Sequence, residues 1–209
     1  MTSVQIREFE KYQYRDPRDW LVALREIESI VVKSTLNYRA RSLRTHKLRE
    51  WSDRRIAALF AFGMSHRMPG FWFDFAGVAR SDYDAVIRYY DDQDCIFTPI
   101  QIKEFVPEHI NKDATVEEIL DGLIKYSNSP DLVVVVYLNR RMKIRLHPIS
   151  SKHIKLGGLY FLGAASPNGT RWNLMGDLLH STEVSQFDYP THSLRDAISN
   201  LSDRVFPAL

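Results

Sequence analysis

One cysteine in 209 residues leaves no internal disulfide to build on. Cys95 fits a reducing compartment, or a thiol that pairs between chains. Apolar runs are short. The longest, Leu132 to Leu138, falls far below the ~20 residues that span a bilayer. Met1 to Trp20 mixes charged, polar and aromatic residues and has no apolar core of a secretory signal. A cytoplasmic protein without membrane contact is expected. The Asn168-Gly169-Thr170 and Asn200-Leu201-Ser202 triplets therefore carry no weight as glycosylation sites. Seven histidines are scattered at 46, 66, 109, 147, 153, 180 and 192, none at zinc-ligand spacing from another histidine or the cysteine. No glycine-rich phosphate loop with a following lysine is found. There is no internal repeat and no low-complexity tract. Disulfide scaffolds, zinc modules and P-loop enzymes are set aside on these grounds.

What is there is enough for a packed core: 44% hydrophobic and 26% charged residues, with 12% aromatics. The net charge is only +2, but it is uneven. Residues 1–80 hold fifteen Lys and Arg against nine Asp and Glu; residues 81–209 hold thirteen against seventeen. The excess peaks between Lys33 and Arg55. A local basic patch on a near-neutral chain suits a polyanion. Arg39, Arg41, Arg44, Lys47 and Arg49 are candidates for phosphate contact, with Tyr38 and His46 available for stacking. Arg140, Arg141 and Lys143 form a second basic cluster. Each run read alone is more simply a solvated face, and only the two flanking one cleft would argue for nucleic acid.

Periodicity gives the element order. Asp16-Pro17 opens a helix carrying Leu21, Leu24, Ile27 and Val31 at helical spacing to about Ser34. A second helix is expected from about Ser42 to Met64, stopped by Gly63, Pro69 and Gly70. The aromatic stretch Phe71 to Phe75 reads as strand-like. Tyr83 to Tyr90 and Ile96 to Phe105 read as a hairpin around Asp91-Asp92-Gln93-Asp94. Thr115 or Asp113 caps a third helix bearing Val116, Ile119, Leu120, Leu123 and Ile124. Asp131 to Leu138 follows, apolar on both parities, as an interior parallel strand reached by a helical crossover. Met142 to Ser150 and Leu159 to Ala164 are expected as edge strands. Gly157-Gly158 is expected in a turn, and Pro167-Asn168-Gly169 in a loop. Trp172 to His180 and His192 to Phe206 are expected as helices. The fold class is mixed α/β: a central mixed sheet flanked by helices.

Chemistry concentrates on the hairpin. Gln101 and Lys103 stand two apart on a strand and share a face, while Ile100 and Ile102 point into a core. Asp84 lies on the neighbouring strand, seventeen positions earlier. A carboxylate, an amide oxygen and the Ile102 carbonyl make an oxygen-rich set suited to Mg²⁺ or Mn²⁺. Lys103 beside them could orient or deprotonate a water, or neutralise charge on a phosphate. Asp74 and Asp82 are outlying carboxylates, the first read as structurally partnered and the second as a reserve ligand.

Asp84, then Gln101-Ile102-Lys103, then a helix and a buried strand, resembles the PD-(D/E)XK nuclease superfamily, also called the restriction-endonuclease-like fold. The resemblance covers about Glu50 to Leu138. Tyr83 replaces the proline of the motif, which is often missing in the family. Gln101 replaces its second acid, as in some active members, so a compensating carboxylate gains value. The family often supplies one from a helix before the first strand, ahead of small and apolar residues and a glycine. Asp53 to Gly63 matches that layout, with Asp53 the first choice and Glu50 the second.

The resemblance implies a division into an N-terminal helical segment (1–40), a nuclease-like core (41–150) and a C-terminal extension (151–209). It implies Mg²⁺- or Mn²⁺-dependent phosphodiester hydrolysis of nucleic acid, DNA first. One site cuts one strand, so a double-strand cut would need a homodimer. The rival reading keeps the fold without catalysis, as a module binding nucleic acid or a protein partner. A third, an unrelated small-molecule enzyme, would require a deep apolar pocket away from Lys103.

Overall fold

The structure, a computed structural model, describes Met1 and residues 3–33, 49–78, 82–92, 94–126, 128–140 and 155–192. A short helix α1 (Ser3–Phe9) leads to α2 (Pro17–Val32) and α3 (Arg49–Arg67). Three strands follow: β1 (Phe73–Gly77), β2 (Ala85–Asp91) and β3 (Asp94–Phe105). Helix α4 (Val116–Asp121) runs into a 3₁₀ helix (Gly122–Tyr126), then come β4 (Asn128–Leu138), β5 (Lys155–Ala164), β6 (Arg171–Met175) and β7 (Val184–Asp188). All seven strands form one sheet in chain order. β3, β4 and β5 run parallel to one another, and every other neighbouring pair is antiparallel. The mixed α/β class expected from the pattern is therefore what the chain forms. Among the described residues no helix is long and apolar enough to cross a membrane.

Local signals account for the elements that were legible. Asp16 caps α2 by accepting from the Asp19 amide at 2.9 Å, with Pro17 at the first helical position, where its missing N–H costs nothing. Thr115 and Glu118 cap α4 reciprocally, each side chain bonding the other's backbone N–H at 3.1 Å. The expected apolar stripe runs past α4 into the 3₁₀ helix and is less buried than expected: Leu123 is covered, but Ile124 is 64% exposed.

The sheet separates two cores. On one face, Ile100, Ile102, Val133 and Val135 pack against the unbroken buried run Ile56–Phe62 of α3. That run is buried all round because α3 lies between the sheet and α2. On the other face, Val134 and Val136 pack with Leu123, Phe105, Leu159 and Phe161. Strand alternation thus sends Gln101 and Lys103 to the side of the 3₁₀ helix, away from α3.

Several expectations need correction. Trp172 to His180 is not helical: Trp172 and Leu174 are buried at period two, and β6 ends at Met175. Leu159 to Ala164 is no edge strand, because β5 lies between β4 and β6. Gly157-Gly158 makes no turn; both residues lie within β5, and a side chain on Gly157 would meet the Pro130 carbonyl at 2.9 Å. Strands β5 to β7 belong to the same sheet as β1 to β4. Met142 to Ser150, and the expected last helix beyond His192, lie outside the described residues.

Candidate active site

Asp84 stands just before β2, where pairing with β3 begins. Register places it opposite Gln101, one step beyond the Ala85–Ile100 pair. Its backbone is held on both sides: its N–H donates to the Ile100 carbonyl at 2.8 Å, and its carbonyl accepts from Val78 N–H at 2.9 Å. Its carboxylate oxygen Oδ2 accepts from the Ile102 amide at 2.7 Å and from the Gln101 side-chain amide. The N–H and C=O of one strand residue point the same way. The Ile102 carbonyl therefore faces the Asp84 side as its N–H does.

Gln101 is 6% exposed, and both ends of its amide are used. The nitrogen donates to Asp84, and Oε1 accepts from the Tyr126 hydroxyl at 3.0 Å. A phenol can accept as well as donate, so Tyr126 offers a partner to either end of the amide. Lys103 is half-buried, with its ammonium 5.3 Å from the centre of the Tyr126 ring. Lys125 approaches the same ring at 4.8 Å. Two cations thus approach the ring whose hydroxyl holds Gln101.

The structure thus brings Asp84, Gln101, Ile102 and Lys103 together. Tyr126 and Lys125, which complete the group, carried no signal in the sequence. They end a short 3₁₀ helix, and only the crossover onto β4 lays them over β3.

The other expected residues are placed differently. Glu50 and Asp53 sit in the first turns of α3, beside Arg54, which lies against Gly77 at the Asp84 end of the sheet. They are on the α3 side, opposite the face that carries Gln101. Glu50 is ion-paired to Arg54. Asp74 pairs with Arg88 and accepts from the Trp72 indole at 3.1 Å, the structural role expected of it. Asp82 is exposed. Among the described residues no group of three or more His, Cys, Asp or Glu could hold a metal ion. The set around Asp84 is of another kind, one carboxylate with an amide and a main-chain carbonyl.

Of the basic candidates, Arg140 is engaged in the fold. Its guanidinium donates to the carbonyls of Val106 at 2.8 Å and Asn111 at 2.5 Å and lies 4.1 Å from the Phe105 ring centre. It ties down the loop after β3 rather than standing free for phosphate. Arg49 opens α3, with no description of its side chain, and Arg39, Arg41, Arg44, Lys47, Arg141 and Lys143 lie outside the described residues.

The fold and site define a mixed α/β protein whose hairpin and crossover helix gather a carboxylate, an amide and a lysine on one sheet face. No family model, no curated protein and no solved structure matches the chain.

Proposed function

We propose that this protein hydrolyses phosphodiester bonds in nucleic acid, with DNA the first substrate to test, through a PD-(D/E)XK-type site that takes Mg²⁺ or Mn²⁺. The observation that carries this reading is that the Asp84 carboxylate, the Gln101 amide and the Ile102 peptide meet, Asp84 accepting from Gln101 Nε2 and Ile102 N–H, while Lys103 shares the face of Gln101 and reaches the Tyr126 ring that holds it. The donor set fits a hard cation: carboxylate, main-chain carbonyl, and an amide that keeps a hydrogen-bond partner in either orientation. Asp84, Gln101 and Ile102 would hold the metal. Glu50 or Asp53 would join only if α3 brought a carboxylate round the end of the sheet. When bound, the metal would polarise the phosphate and lower the pKa of water.

The chain's own groups do the rest. Lys103 sets its ammonium against the phosphate oxygens or the attacking water, and its contact with Tyr126 restrains it. Lys125 adds a second cation for the charge that develops on the phosphoryl oxygens. Tyr126 holds Gln101, and through it the Asp84 carboxylate. Water adds to phosphorus as the bond to the leaving oxygen breaks, and that oxygen leaves with a proton.

The test is cleavage of supercoiled and linear DNA with Mg²⁺ or Mn²⁺, set beside Lys103→Ala. Metal-dependent cutting that falls at least ~100-fold in the variant is expected, on the scale of losing one positioned charge. A wild type that cuts no DNA or RNA would overturn the reading.

One observation favours a second reading. Asp84 and Gln101 satisfy each other without a metal, as they would in a nucleic-acid-binding module that has kept the fold and lost the chemistry. Binding of DNA by a protein that cuts nothing would be its signature.

A further inference from the structure

β1 is an edge strand, and its open side is covered only in part. Arg15 bridges to Phe75 through two main-chain hydrogen bonds, at 2.9 and 3.1 Å. Two residues further along, Gly77 faces the same open side by strand alternation. A cleft of about 250 Å³ lies there, lined among others by Tyr12, Arg15, Trp20, Arg54 and Gly77. Trp20 of α2 lines it and is backed by Trp51 of α3, with ring centres 5.4 Å apart and planes 15° apart. A guanidinium accompanies each indole: Arg15 lies 5.2 Å from the Trp20 ring centre and Arg54 5.9 Å from that of Trp51.

Gly77 makes room for Arg54. A Cβ there would come within 2.3 Å of Arg54 Cγ and 2.7 Å of its Nε, so the side chain crosses the strand where no side chain stands. The cleft is also tied to both sides of the Asp84 peptide. Tyr12 shares a 2.8 Å hydrogen bond with the Tyr83 hydroxyl, and Val78 donates to the Asp84 carbonyl.

We propose that this cleft binds a backbone phosphate of a nucleic-acid strand that passes round the β1 edge toward Asp84, with Arg15 and Arg54 as its cations. The ligand rests on the nuclease reading; the cleft's chemistry does not. Two guanidiniums match phosphate oxygens geometrically, and Trp20, backed by Trp51, gives the cleft an aromatic side. In the free protein Arg54 is paired with the Glu50 carboxylate. A phosphate takes that carboxylate's place, so Glu50 competes with the ligand.

The test is binding of a fluorescein-labelled single-stranded oligodeoxynucleotide, followed by anisotropy in EDTA across a salt series. Arg15→Ala and Arg54→Ala are each expected to weaken binding severalfold and to lower the slope of log affinity against log salt by about 0.7. Glu50→Gln is expected to tighten binding, a gain that a damaged fold would not give. Unchanged slopes in both arginine variants, or no tightening with Glu50→Gln, overturn the cleft. Inorganic phosphate bound as tightly as the strand also overturns it, in favour of a free-phosphate site. The two readings fail separately. Lys103-dependent cutting with binding indifferent to Arg15 and Arg54 removes only the cleft. Arginine-dependent binding without cutting removes only the nuclease.

Discussion

Gln101 sets the charge balance beside Asp84. Two carboxylates facing each other across β2 and β3 would repel, and one would hold its proton or require a cation. The neutral amide instead donates to Asp84 and is itself held by Tyr126. Gln101→Glu should therefore trade metal-free stability for metal affinity. Its melting temperature in EDTA at pH 8 is expected below that of the wild type. Mn²⁺ should raise it more than it raises the wild type, and calorimetry should show at least ~10-fold tighter Mn²⁺ binding, which corresponds to about 1.4 kcal/mol. A variant no more responsive to Mn²⁺ than the wild type would mean that position 101 faces no cation. Asp84, Gln101 and Lys103 were legible because period-two alternation fixes which side chains share a face. Tyr126 was not, since its role depends on where a crossover lands. The Glu50–Arg54 pair was not foreseen either: read in isolation, a carboxylate one turn from Asp53 gives no sign that a guanidinium four residues on will claim it.

At the level of elements, the chain was readable as far as β4 and less so beyond it. α2, the β2–β3 hairpin and the parallel β4 announce themselves through caps, alternation and an unbroken apolar run. β6 was mistaken for a helix because five residues with two buried positions satisfy either period. What fixes it is remote: Arg67, at the end of α3, donates to the Ser185 hydroxyl at 2.8 Å and to the carbonyls of Leu174 at 2.6 Å, Gly176, and Glu183 at 3.4 Å. One guanidinium thus joins α3 to the β6–β7 hairpin. Arg67→Ala leaves those carbonyls without their donor and should cost roughly 2–4 kcal/mol, the scale of charge-assisted hydrogen bonds to partly buried groups. Hydrogen exchange should quicken in β6 and β7 while β2 and β3 stay protected. Uniform acceleration across the sheet would assign Arg67 to global stability instead.

Across the whole molecule, the β4–β5 pairing is what joins the late strands to the hairpin that carries the site. It is parallel and non-local, so no turn residue signals it, and a boundary near position 150 looked natural. The joined sheet buries tyrosines on several elements. Burial raises the Tyr160 and Tyr189 hydroxyls to about 12, and it raises those of Tyr12 and Tyr14 as well. Tyr189 also donates to the Leu21 carbonyl at 2.7 Å, linking the segment after β7 to α2. A phenol with a folded-state pKa above its unfolded value of about 10 favours the folded state fully below pH 10. Above that, the unfolded chain releases protons that the folded one keeps, and stability falls as pH rises toward 12. Alkaline titration should therefore show phenolate absorbance and loss of far-ultraviolet dichroism rising together above about pH 10, because the buried phenols ionise by unfolding. Full phenolate signal with the dichroism intact would mean that these hydroxyls reach solvent in the native fold. The sheet would then be open around α2, and the Trp20 wall of the β1 cleft would be less rigid than its stacking on Trp51 implies.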